Sequence, residues 1–287
     1  MRVFWGPAYC AAGHAFDTTR KSAWIAESLA ARPIAGVTLE EPEPLDVERL
    51  LAVHERTYVD AVRSGEPRAL AESQGFRWDA GLWPMVLASN GGALAAAGAA
   101  LVEGVSGSLS SGLHHARRDR GAGLCTFNGL AVAAAAFDCR VIIVDLDAHC
   151  GGGTHSLVAG MPRVRHLDVS VSDFDRYAPQ APHTLDLVTR VEDYLPTVER
   201  RLAEVARDPF DLCLYNAGMD PFAACPLGGL AGVTAEVLAA RERLVFTWCR
   251  ARRLPVAFVL AGGYVGEGLA REGLVELHRL TLEAAVA

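Results

Sequence analysis

The chain has a single lysine, Lys21, among its 27 basic residues, and 34 acids outnumber the bases for a net charge of −7. A net-acidic surface is a poor partner for a phosphate backbone, so no nucleic-acid binding is expected. No C-x-x-C pair occurs, and the seven cysteines are scattered and odd in number. That pattern fits free thiols in a reducing, cytoplasmic setting rather than a disulfide framework. The N-terminal MRVFWGPAYC lacks the apolar core of a signal peptide. The longest stretch of low polarity, around residues 91–102, is too short and too rich in Gly and Ala to span a bilayer, so no membrane association is expected. Gly151-Gly152-Gly153-Thr154 lacks the lysine of a P-loop, no G-x-G-x-x-G with a following acid is present, and no serine sits in a G-x-S-x-G elbow. Nucleotide-phosphate, dinucleotide and serine-hydrolase chemistry therefore have no motif to rest on.

What is present is core. Hydrophobic residues make up 51% of the 287 residues and charged residues 21%, enough to bury a large interior. Length alone suggests about two domains, but no linker, composition break or internal repeat divides the chain, so a single domain over 1–287 is expected. Strands are predicted at Arg2–Trp5, Gly36–Leu39, Val141–Leu146, Arg163–Val169, Leu212–Tyr215 and Val256–Leu260. VIIVDL, LCLY and VAFVL are nearly continuous apolar runs, as expected of parallel strands buried on both faces. Helical patterns at Ser22–Ala31, Val47–Arg63, Met85–Glu103, Gly129–Phe137, Leu185–Ala206, Ala235–Arg252 and Gly268–Ala284 alternate with them. The alternation implies an α/β fold with a parallel sheet and helices on both faces.

In such sheets ligands sit beyond the carboxyl ends of the strands, and four chemical clusters fall there. Asp145, Asp147 and His149 alternate on an extended segment and share one side. Two carboxylates and an imidazole crowded together need a cation, and the mixed set suits zinc, manganese or non-haem iron; solvated acids at a strand end are the plainer alternative. Asp220 follows the strand YNAG and would by itself be an ordinary turn aspartate. Placed at the same rim it becomes a third ligand, and Asp147, His149 and Asp220 would leave coordination positions open, as catalytic sites do. His114-His115 stands in a Gly-rich loop and can exchange protons near a metal-activated water. Tyr264 follows Gly262-Gly263, which let the backbone turn and bring its phenol to a developing oxyanion. Cys150 and Cys225 lie near these clusters without a partner that would mark a nucleophile.

These residues resemble a known family. VIIVDLDAHCGGGTHSL resembles the V-D-x-D-x-H-H-G-N-G-T motif of the zinc-dependent histone deacetylases. SGLHHARRDRGAGLCTFNGLAVAA resembles their P-G-H-H-A…G-F-C-x-F-N-N segment, NAGMDPFAACPLGGL their A-G-F-D…G-D-P-L-G, LAGGYVGEGL their L-E-G-G-Y, and VHERTYVDAV an early H-x-x-x-Y-V. The resemblance implies an arginase/deacetylase-type fold with a mostly parallel sheet of about eight strands. It implies Zn²⁺ on Asp147, His149 and Asp220, a proton-transfer pair in His114 and His115, and Tyr264 as oxyanion donor. It also implies a K⁺ site near Asp145 and Ser170, and a substrate tunnel along Leu124, Gly123, Gly262 and Gly263.

The chain departs from the family at Cys150 (a histidine there), at Ala224-Cys225, at Leu124 (a tunnel phenylalanine) and at Gly152 (Asn or Asp). The last should leave His115 without the side chain that orients it, making His114 the better base. The expected activity is hydrolysis of an acyl-amine, acetyl or slightly larger, on an acyl-lysine peptide, polyamine or small acylamide. Two rivals are a binuclear manganese ureohydrolase, whose D-A-H is matched by Asp147-Ala148-His149 but not its continuation, and a weakly active or non-catalytic acyl-amine binder. Oligomerisation is left open.

Overall fold

The computed structural model describes residues 1–13 and 17–287. Eight strands form one wholly parallel sheet: β1 Arg2–Phe4, β2 Thr38–Glu40, β3 Val105–Ser108, β4 Val141–Asp145, β5 Val164–Ser170, β6 Thr184–Leu187, β7 Leu212–Ala217 and β8 Val256–Leu260. Their order across the sheet is β2-β1-β3-β8-β7-β4-β5-β6. The helices are α1 Asp17–Ala31, α2 Val47–Leu51, α3 Arg56–Ser64, α4 Arg68–Ala71, α5 Leu82–Glu103, α6 Gly129–Ala136, α7 Gly152–Val158, α8 Val191–Glu204, α9 Ala235–Arg252 and α10 Arg271–Val286.

The apolar run of β4 shows how sequence becomes layers. Ile142 and Val144 face a core shared with α8, α9 and α10, while Val141 and Ile143 face a second core shared with α3, α5 and α6. Period-two alternation thus buries both faces of a strand that has no polar side until Asp145. Helix α5 is longer than its least polar stretch suggested. It has the length and hydropathy of a membrane span, but most of it is buried here, packed on β3, β8 and α6.

All six predicted strands form, and two more were missed. β3, predicted as loop, carries the sequence VSGS in the middle of the sheet. A Cβ at Gly107 would sit 2.1 Å from the Phe258 ring of the neighbouring β8, so the partner strand fills the space that an apolar side chain would use. β6 is a half-exposed edge strand, TLDL, overlapping the start of the helix expected over Leu185–Ala206; the helix starts only at Val191. The single helix expected over Val47–Arg63 is two, because Ala52–Glu55 turns between α2 and α3.

Candidate active site

Four neighbouring strands, β3, β8, β7 and β4, deliver the candidate metal and proton-transfer residues to one rim. β4 runs out into Asp147 and His149, β7 into Asp220, β8 into Gly262-Gly263-Tyr264, and β3 leads by way of the 109–113 loop to His114-His115. Asp147, His149 and Asp220 bring ligand atoms within 4.8 Å of one another. His149 Nδ1 lies 3.1 Å from Asp147 Oδ1 and 3.2 Å from Asp220 Oδ2.

Backbone amides fix the carboxylates. Gly262 N–H donates to Asp147 Oδ2 at 2.7 Å, and Ala148 N–H to Asp220 Oδ1 at 3.0 Å. Asp220 Oδ2 is fully buried and makes no well-formed hydrogen bond, with only His149 Nδ1 near it at 3.2 Å. A buried carboxylate oxygen without such a bond is costly unless a cation occupies its lone pairs. Gly262 is required here, because its Cβ would lie 1.9 Å from that same oxygen. Burial and the neighbouring Asp147 push Asp220 up to about 6. Burial opposes charge on His149, yet Asp147 and Asp220 outweigh it and raise the imidazole to about 10. Two carboxylates that hold a proton on the histidine between them are a site short of positive charge, and a divalent cation fits it.

The two tandem histidines stack with ring centroids 4.0 Å apart, each with its own carboxylate. His114 Nδ1 lies 2.9 Å from Asp145 Oδ2, and its Nε2 is 3.5 Å from Asp147 Oδ1. Burial opposes its charge, but Asp145 and Asp147 raise it to about 10. Burial would raise Asp145 too, yet the His114 charge holds it well below the usual carboxylate range. Asn216 donates to its other oxygen at 2.7 Å. His115 Nδ1 lies 3.0 Å from Asp175 Oδ2. Burial, aided by the charge on His114, lowers His115 to about 4. The expectation that Gly152 strands His115 without an orienting partner is thus overturned. Asp175, from the loop after β5, occupies the space; a Cβ on Gly152 would meet its carbonyl oxygen at 2.4 Å and its Oδ1 at 2.6 Å. Without a metal, the two histidines are thus shifted in opposite directions, His114 up and His115 down.

The Tyr264 ring stands 6.5 Å from that of His149. Phe174, not singled out in the sequence, lies edge-on to His115 at 5.0 Å and to His149 at 5.9 Å, half exposed. Gly123 faces it, with space for no side chain between His115 and Phe174. Leu124 lines a cavity together with Leu113, Phe76, Met85 and Thr126. Asp145 and Ser170 are both fully buried, but the Ser170 hydroxyl is bound to Asp168. Asp145 is grouped instead with His166 and Asp168, a second set of buried candidate ligands that sequence reasoning missed. Cys150 and Cys225 are each pushed up to about 12, first by burial and then by Asp168 and Asp220 respectively, so neither is a thiolate nucleophile. The signal for Phe174 and Asp175 was the rule that chemistry gathers where strands end, not applied beyond β5; Asp168 lies on β5 itself, two residues before the Ser170 that the resemblance implied.

The sequence profile of the histone deacetylase domain matches residues 14–279. The chain belongs to the histone deacetylase family. An uncharacterised protein of Picosynechococcus is 34% identical over 237 residues, 78% of each chain. Histone deacetylase 2 of Arabidopsis thaliana is 29% identical over 267 residues, 82% of this chain and 68% of that protein. The acetylpolyamine aminohydrolase of Burkholderia pseudomallei superposes with a TM-score of 0.81 at 20% identity, over 100% of this chain and 99% of the other, a likeness of fold. Within this histone deacetylase-family fold, Asp147, His149 and Asp220 meet at one point, the two histidines lie beside it, and Asp175 completes the second histidine–carboxylate pair.

Proposed function

We propose that this chain is a zinc-dependent amidohydrolase that removes an acyl group, acetyl or slightly larger, from a primary amine such as an acyl-lysine or an acylpolyamine. The observation that carries the reading is the buried Asp220 Oδ2, turned with Asp147 and His149 on one point beside two histidine–carboxylate pairs. Asp147, His149 and Asp220 would hold the zinc. When bound, Zn²⁺ supplies Lewis acidity toward the acyl carbonyl and lowers the pKa of water there toward about 7.

The remaining steps belong to the chain. His115, neutral and donating its Nδ1 proton to Asp175, keeps a free lone pair on Nε2 and takes the proton of the attacking water. The same atom returns that proton to the amine nitrogen as the C–N bond breaks. His114, paired with Asp145 through Nδ1, offsets the negative charge of the transition state when protonated. Tyr264 donates its phenolic hydrogen to the oxyanion, a contribution of about 10²–10³ in rate for one such donor. Gly123 and Phe174 flank the approach, and the flat edge of Phe174 suits an unbranched alkyl stem. Asp145, His166, Asp168 and Ser170 are the groups that would border a K⁺ ion.

The ureohydrolase reading needs two ions sharing ligands, whereas the two candidate clusters have no residue in common. The binder reading rested on Gly152, and Asp175 removes its basis. Seven free thiols suit a reducing cytoplasm. A panel of acetyl-lysine peptides, acetylpolyamines and small acylamides on zinc-loaded protein tests the proposal. It requires equal release of free acid and free amine from at least one of them, and binding of a hydroxamate without turnover of any would overturn it.

A further inference from the structure

The 150–153 segment and the loop after β5 are stitched together. Cys150 N–H donates to the Phe174 carbonyl at 3.0 Å, and Gly153 N–H donates to Asp175 Oδ2 at 3.0 Å. Arg117 clamps both segments: one guanidinium nitrogen pairs with Asp175 Oδ1 and another donates to the Gly152 carbonyl at 3.1 Å. Arg117 is itself held, its carbonyl accepting from His54 Nδ1 at 2.8 Å and its amide donating to the Arg120 carbonyl at 2.9 Å. Asp175 adopts φ +59, a left-handed conformation that aspartate tolerates and that most residues avoid. So a less-favoured backbone, an arginine and the Gly153 amide converge on one side chain, and that side chain ends on His115.

A carboxylate only accepts, so Nδ1 of His115 must carry the proton, and its neutral tautomer is fixed with Nε2 bare. We propose that Asp175 is the positioning residue of His115, supplied from the loop after β5 in place of a side chain at 152, and that Gly152 is glycine because Asp175 occupies its Cβ space. The two arrangements exclude each other sterically, so a residue other than glycine at 152 and an aspartate reaching His115 from 175 cannot coexist in this backbone. Because Phe174 is the preceding residue, the same anchor fixes the ring that flanks His115 and His149. The proposal rests on the reading of His115 as the proton-transfer group.

The test compares Asp175→Ala and Asp175→Asn in the zinc-loaded protein, with kcat and KM measured separately and the imidazole ¹⁵N spectrum of His115 recorded for each. Asp175→Ala should lower kcat about 10–100-fold while zinc content is retained. Asp175→Asn, whose amide oxygen still accepts from Nδ1, should recover most of that loss. In the native protein and in Asp175→Asn the spectrum should show the Nδ1–H tautomer, and in Asp175→Ala a mixture. Native kcat in Asp175→Ala, equal losses in both variants, or an Nε2–H tautomer in the native protein would each overturn the proposal. The tautomer readout needs no turnover, so it decides the role of Asp175 even in a protein that hydrolyses no acyl-amine. It can be made on Asp175→Asn, the near-isosteric variant, if Asp175→Ala does not fold.

Discussion

Restoring the family's side chain at position 152 should damage this protein. An ideal Cβ at Gly152 lies 2.4 Å from the Asp175 carbonyl oxygen and 2.6 Å from its carboxylate. Ordinary van der Waals contact begins near 3.4 Å, so the 175 backbone must retreat by about 1 Å, and His115 loses its carboxylate or follows it. Misplacing a catalytic group by that distance costs on the order of 10²-fold in rate. Gly152→Ala should therefore lower kcat about 10²-fold with zinc content and far-UV circular dichroism unchanged. Gly152→Asp should do at least as much, since it also sets a second carboxylate against Asp175. Continuous assay of amine release on the best acyl-amine substrate, with zinc quantified on the same samples, reads both variants. Native kcat in Gly152→Ala, or a gain in kcat in Gly152→Asp, would refute the packing argument and return His115 to the side chain at 152.

Asp220→Asn should abolish zinc binding and the rise in Tm that zinc confers, yet leave the metal-free Tm no lower, because it removes a buried repulsion with Asp147; full zinc occupancy in the variant would remove Asp220 from the ligand set. Tyr264→Phe should cost about 10²–10³ in kcat while hydroxamate affinity and zinc content hold; equal losses in binding and rate would deny its transition-state role. His54 is buried between the Arg117 carbonyl and the Asn128 amide, and burial lowers it to about 4. Between about pH 6.5 and 4 the unfolded chain binds a proton there that the folded chain does not, so this stability is full above about 6.5 and is lost as pH falls toward 4. The loss amounts to about 3 kcal/mol, and urea denaturation of native and His54→Gln protein across that range should show the difference in slope.

The α/β class and the rim were legible because buried parallel strands announce themselves. VIIVD, LCLYNA and VAFVL carry no polar residue on either face until they reach the site. β3 was not legible, because its identity lies in the fit of Gly107 under Phe258, a contact across 151 positions of sequence, 107 to 258, that no local pattern records. β6 was hidden because an edge strand of four half-exposed residues has no strong periodicity. The candidate metal cluster could be read because Asp147 and His149 lie on one strand end and Asp220 on another, and each strand was recognisable. The partner of His115 could not, since the family resemblance assigned it to position 152, where this chain has glycine, whereas the structure brings Asp175 across 60 positions of sequence to that place. The glycine that looked like a gap beside His115 is the space that Asp175 fills.

The central claim is that Asp147, His149 and Asp220 form a zinc site that drives acyl-amine hydrolysis. Its most direct test is to strip the protein with a chelator, titrate Zn²⁺ back, and follow bound metal and acetate release together. Both should rise in parallel and saturate at one zinc per chain in the native protein, with neither rising in Asp220→Asn. Full hydrolysis in the metal-free protein, or saturation only at two metals per chain, would contradict it.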